Sequence, residues 1–192
     1  EMEDRRLDFN YQSCYCEENI YLLGKRLSER LPIHQFHVLF ISNSNGSVLL
    51  NNQRSKDNGI VVWDYHVILL HSLAHSSSIY DFDTRLSFPI SAIEYFTHSF
   101  PNGIRPELIP LFRLIPLQSY LDYFSSDRTH MLSESGEYQS PPPSWPIIQS
   151  PLALSSNQIS HFISMDPIHL SEISRIMSLD QIISFVQHDC VQ

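Results

Sequence analysis

Three residues suited to nucleophilic acyl chemistry stand where local patterning can bring them together: Cys16, His66 and Asp81. Cys16 opens an amphipathic run. Apolar residues recur from it at Ile20, Leu23, Leu27 and Leu31, the spacing of one helical face, and Pro32 closes the run. A thiol in the first turn of a helix meets the positive end of the helix dipole, which favours thiolate. Glu17 and Glu18 beside it push the other way. Such a nucleophile also needs a base. The stretch Ile60 to Leu70 reads as a strand, which places Asp64, His66 and Ile68 on one face and Trp63, Tyr65 and Val67 on the other. Ile79 to Thr84 alternates apolar and acidic residues and reads as the next strand, with Asp81 and Asp83 on one face. Antiparallel pairing would set a residue near 66 opposite one near 81, with Cβ atoms about 5 Å apart, and Asp83 is an alternative to Asp81. Cysteine would then attack, histidine would move the proton, and the carboxylate would fix the histidine tautomer.

The elements that must hold such a trio are readable in order. Residues 16–31 form the helix. Phe36 to Ile41 is a buried strand, and Asn45-Gly46 is a hairpin turn with Val48-Leu49-Leu50 returning. Residues 51–59 are a polar loop, and 71–78 break the strand pattern. Residues 91–100 are helical, Phe112 to Ile115 is a short strand, and Leu117 to Phe124 is a helix. Residues 125–151 are loop-rich and include Pro141-Pro142-Pro143-Ser144-Trp145-Pro146, read as a rigid surface crossing with Trp145 as its anchor rather than as a polyproline ligand. Ser178 to Gln181 is a capping box before a C-terminal helix carrying Ile182, Ile183, Phe185 and Val186. No internal repeat is visible. The expected architecture is α+β: an antiparallel sheet flanked by helices with a papain-like or transglutaminase-like core. One catalytic domain covers 1–192, with 1–10 and 187–192 as flexible tails.

Composition narrows the partners. The chain has 192 residues, 12 Lys+Arg and a formal net charge of −9, which leaves no basic patch for nucleic acid. No apolar run is long enough to span a bilayer and no secretory signal opens the chain, so membranes are not expected partners. Cys14, Cys16 and Cys190 are an odd number of thiols, two of them too close for a comfortable disulfide, which points to a reducing compartment, cytoplasmic and nuclear. Cys14 and Cys16 lack the second pair that a structural zinc site requires, so no metal is expected, and Cys14 is read as a small buried residue beside the pocket. Arg128 is read as an ion-pair partner that pins its loop.

Tyr11-Gln12-Ser13-Cys14-Tyr15-Cys16-Glu17-Glu18-Asn19-Ile20 and Val62-Trp63-Asp64-Tyr65-His66-Val67 resemble the two signatures of the protein N-terminal glutamine amidohydrolases. Ile79 to Thr84, Phe124 to Met131, Pro141-Pro142-Pro143 and Phe162 to Pro167 resemble further segments of that family, in its order. Loops 43–59 and 85–110 and the stretch after 168 carry little resemblance and bear only on the pocket rim. The resemblance implies removal of the side-chain amide of an N-terminal glutamine, giving glutamate and ammonia, and feeding the N-degron pathway. It implies Cys16, His66 and Asp81 as catalytic residues, no cofactor, and proteins or peptides with N-terminal glutamine as partners; a monomer is expected because the sequence shows no obvious association device. The oxyanion would be met by backbone N–H groups at the start of the helix.

A chain-end amidohydrolase must also bind a free α-ammonium. Glu17, Glu18, Asp64 and Asp127 are the carboxylates available, expected at the closed end of the pocket. Ser13 stands beside the nucleophile, and Tyr15 and Trp63 are candidate apolar walls, although an unbroken strand sends Trp63 away from His66. Rival readings keep the thiol chemistry but open the cleft, as in a transglutaminase or cysteine protease, or discard turnover for a module that binds N-terminal residues.

Overall fold

In the segment Phe36–Ser42 (β1) every residue except His37 is buried, so both of its faces must be covered. The computed structural model describes residues 5–74 and 76–188, and in it β1 lies inside a six-stranded sheet of described residues. The other strands are His66–His71 (β4), Ser78–Tyr80 (β5), Ile90–Ser91 (β6), Leu111–Pro116 (β7) and Arg175–Ser178 (β10). Their order is β10-β7-β1-β4-β5-β6, and every neighbouring pair is antiparallel. Two short strands, Val48–Leu50 (β2) and Val61–Trp63 (β3), pair with each other in a sheet of their own among the described residues, and Ser125–Ser126 (β8) pairs with Ile148–Gln149 (β9).

Alternation along β1 sorts the core into two. Val38 and Phe40 pack with Val67, Leu69 and Ile115 beneath the helices Cys16–Ser28 (α1), Leu117–Tyr123 (α3) and Ile159–Ile163 (α4). Leu39 and Ile41 pack with Ile68, Leu70 and Phe112 beneath Ala92–Ser99 (α2) and Leu179–His188 (α5). Helices thus cover both faces of an antiparallel sheet, the expected α+β arrangement. Gly24 lets α1 lie close on α3, where a Cβ would stand 2.5 Å from a methyl of Leu117. Ser178 and Gln181 cap α5 reciprocally: the Gln181 N–H donates to Ser178 Oγ at 3.3 Å and the Ser178 N–H to Gln181 Oε1 at 2.8 Å.

Several elements differ from the expectation. The single strand over 60–70 is two strands in different sheets, broken at Asp64-Tyr65, where the Ser42 hydroxyl bonds the Asp64 carbonyl at 2.6 Å. Val48–Leu50 does not return along β1 but pairs with β3. The strand expected over 79–84 stops at Tyr80, because the Asp83 N–H turns back to Asp81 Oδ1 at 2.9 Å. The helical run ends at Ser28 rather than at 31, and Leu31 is exposed. The tails differ too. Arg6 is buried and bonds the Thr84 carbonyl at 3.0 Å, and the start of the 187–192 tail lies within α5. Cys190 and the rest of that tail lie outside the described residues, as do residues 1–4.

Candidate active site

Asn19, in the second turn of α1, reaches back to Gln12. Its Oδ1 accepts from the Gln12 N–H and its Nδ2 donates to the Gln12 carbonyl, both at 2.8 Å. This clamp closes the turn 12–16 and delivers Cys16 to the first position of the helix, with Cys14 held at φ 69° beside it. No side chain caps α1, so the N–H groups of its first turn keep no side-chain acceptor. Cys16 packs against the α1 face of the sheet, as its register with Ile20 and Leu23 requires.

His66 is the first residue of β4, directly after the break. Its Nε2 lies 2.8 Å from Oδ1 of Asp81, which follows the last residue of the neighbouring β5. Asp81 is fully buried, and its other oxygen accepts from the Tyr95 hydroxyl at 2.8 Å and from Gln53 at 3.4 Å. Of the two alternatives on this strand, Asp81 holds the imidazole, while Asp83 accepts the Tyr11 hydroxyl at 2.5 Å. Because Nε2 is engaged, Nδ1 is the nitrogen left for proton exchange.

A cavity of about 650 Å³ joins these elements. Cys16, His66, Trp63, Asp64 and Ser13 line it, together with Cys14, Tyr65 and Asp83. Tyr11, Arg54 and Ser55 also line it, as do His130, Met131, Gln139 and Ser140. Trp63 faces the site because the break rotates it there, and its ring stacks on His66 at 6.2 Å between centroids and 17° between planes. Cys14 is exposed at the cavity rather than buried.

Three expected binding residues stand apart from the cavity surface. Tyr15 is fully buried, with its hydroxyl on the Ser140 carbonyl at 3.1 Å. Glu17 is buried beneath the wall, where Oε2 accepts from Tyr65 at 3.1 Å and faces the Cys16 sulfur at 3.6 Å, and Oε1 lies 3.5 Å from His130 Nε2. Asp127 accepts from Thr129, Ser156 and Asn157, and these bonds outweigh burial and lower its carboxyl to about 2. Glu18 is also committed: Arg128 grips both its oxygens at 2.9 and 2.8 Å, and Trp145 Nε1 donates at 2.7 Å. That ion pair pins the loop as expected, and Trp145 anchors the proline-rich crossing to it.

The electrostatics follow from burial and charge. Burial pushes the Cys16 thiol up, Glu17 and Asp83 push it further, and the Val67 N–H opposes without reversing the direction. Burial would push the His66 imidazolium down, but Asp81, joined by Asp83 and Glu17, outweighs it and raises the ring above its ordinary value. Burial raises the Asp81 carboxyl, but His66 and the hydrogen bonds bring it below its ordinary value. Asp83 is raised by burial, with the charge of Asp81 adding to the shift. The surrounding carboxylates thus favour the protonated form of both the thiol and the imidazole. Ligand atoms of His66, Asp81 and Asp83 also fall within 4.8 Å of one another, the spacing of a metal site. Since His66 Nε2 and Asp81 Oδ1 are already joined, an ion there would have to break their bond.

Sequence reasoning missed Tyr95, whose signal was a tyrosine on the apolar face of a helix, where a buried hydroxyl needs a partner. It also missed Arg54, His130 and Gln139 as wall residues; they lie on loops without periodicity.

Comparison with known proteins bears on this geometry. The family model described as N-terminal glutamine amidase matches residues 11–186. The chain is 41% identical over 163 residues to the protein N-terminal glutamine amidohydrolase of Bos taurus, covering 82% of this chain and 78% of the relative. It is 40% identical to that of Homo sapiens over the same length and shares. With that of Danio rerio it shares 38% identity over 163 residues, 82% of this chain and 80% of the relative.

Proposed function

The chain belongs to the N-terminal glutamine amidase family, and on that premise we propose that it hydrolyses the side-chain amide of a glutamine at the N-terminus of a protein or peptide. The products are N-terminal glutamate and ammonia. The observation that carries the reading is that His66, held by the buried Asp81 at 2.8 Å, lines the cavity that Cys16 also lines.

The chemistry follows from the groups present. His66 Nδ1 takes the proton of the Cys16 thiol, and the sulfur attacks the carboxamide carbon. The oxyanion is met by backbone N–H groups at the start of α1, where no side chain caps the helix. Collapse breaks the C–N bond, and the imidazolium gives its proton to the departing ammonia. A thioester to the glutamyl side chain remains. His66 then takes a proton from water, hydroxide adds to the thioester, and the C–S bond breaks to restore the thiol. Asp81 keeps the ring in one tautomer and steadies its charged form throughout. No step draws on a cofactor.

The order Cys…His…Asp on a helix and an antiparallel sheet supports a papain-like or transglutaminase-like core within one catalytic domain. A role in the N-degron pathway rests on the family resemblance, a cytoplasmic and nuclear setting on the two thiols left free, Cys14 and Cys16, and a monomeric state on a sequence without an obvious association device. Ammonia release from peptides with glutamine at the first or at an internal position tests the reading. Release from the Gln-initiated peptide alone is expected. Equal release from both would replace it with a transglutaminase or protease reading.

A further inference from the structure

We infer that Asp64 receives the substrate's α-ammonium and so makes the enzyme specific for chain ends; the inference rests on the function proposed above. The glutamine carboxamide must reach the sulfur, and its α-nitrogen lies four bonds further back, toward the cavity mouth. A counter-charge for it therefore belongs on the accessible wall, not at the buried end.

Of the buried carboxylates, Asp81 and Glu18 are committed, while Glu17 keeps one oxygen, Oε1, without a hydrogen-bond donor but does not line the cavity. Asp81 holds His66, and Glu18 holds Arg128 and Trp145. Two carboxylates line the cavity, Asp64 and Asp83. Asp83 already accepts the Tyr11 hydroxyl and feels the charge of Arg54, which lines the same cavity and would repel a second cation. Asp64 differs on each count. It is exposed, its Oδ1 takes only the Tyr65 N–H at 2.9 Å, and among the described residues no group bonds its Oδ2 and no cationic side chain pairs with it.

Its placement is built rather than incidental. The Ser42–Asp64 bond fixes the backbone at the break, and the Tyr65 N–H orients the carboxylate. Trp63 and Tyr65 flank it on the cavity wall, and aromatic faces favour a cation. An internal glutamine would bring a neutral amide to this position and lose the charge pair.

The test compares ammonia release from a Gln-initiated peptide with a free α-amine and from the same peptide N-acetylated, using the full chain as wild type, Asp64→Asn and Asp64→Glu. Wild type favours the free amine. In Asp64→Asn the ratio of the two kcat/KM values falls roughly 10- to 100-fold, chiefly through KM for the free-amine peptide, and Asp64→Glu restores most of the ratio. An unchanged ratio in Asp64→Asn, or an equal fall on both peptides in a protein that melts like wild type, overturns the assignment. Wild-type protein that releases no ammonia from either peptide overturns instead the function on which it rests.

Discussion

Tyr95 donates its hydroxyl to Asp81 at 2.8 Å, so a helix on one face of the sheet holds the carboxylate that steadies the imidazole. Tyr95 is fully buried and acts on the reaction only through Asp81. In Tyr95→Phe one oxygen of a buried carboxylate keeps only the 3.4 Å contact from Gln53. The expected cost is about 1–3 kcal/mol of stability. The hydrogen bond lowers the Asp81 carboxyl, so its loss moves that carboxyl up and weakens support for the imidazolium. A fall in kcat with little change in KM, and a shifted pH profile, are the signs to measure. A drop in melting temperature without either kinetic change would make Tyr95 structural only.

Cys16→Ala should lower kcat/KM by about a thousandfold or more, since it removes the atom that forms the bond to substrate. Cys14→Ala should stay within about tenfold of wild type, because Cys14 only lines the cavity. Side-by-side ammonia assays decide the matter, and the reverse pattern would exchange the two roles.

Arg128→Ala strands Glu18, which is fully buried, with Trp145 as its remaining side-chain donor. Breaking one side of a buried pair costs about 3–5 kcal/mol. Denaturant unfolding should show a loss of that order. Arg128→Lys should recover part of it, because an ammonium keeps the charge but not the two-point grip.

His37 is held down to about 4 by burial and by the nearby Arg175. Its folded value lies below the ordinary 6.5, so the unfolded chain binds the proton first as pH falls. Its contribution to stability is therefore intact above about pH 6.5 and is lost progressively toward pH 4, to about 3 kcal/mol. Melting curves of wild type and His37→Gln across this range should converge as pH falls. Parallel curves would show that another group carries the acid sensitivity.

How much of this was legible depended on periodicity. Phe36 to Ile41, the helix from Cys16 and the capping box at Ser178 announce themselves by spacing, because their neighbours are set by a repeat of two or of about four residues. The two strands pair across one connection as read, but their register ends at Leu69–Tyr80, so Asp81 reaches His66 from the turn after β5 and not by direct opposition on the sheet. The break at Asp64-Tyr65 was not legible. An apolar run on either side of it reads as one strand, and only the separate pairing of β3 and β4 divides it. That error sent Trp63 to the wrong side of His66. The walls contributed by Arg54, His130 and Gln139 were hidden for a related reason. Their places are set by contacts across many residues of sequence, such as the 110 separating Arg128 from Glu18, and no local pattern records those.

Loops are ordinarily the first part of a fold to open. The segment around Arg128 cannot open alone, because leaving would abandon the buried Glu18 carboxylate two residues along the helix from the reactive sulfur. Fluctuations of this loop and the readiness of the nucleophile are consequently governed by the same opening equilibrium, and amide exchange in residues 126–131 should be as slow as in the first turns of the helix it fastens.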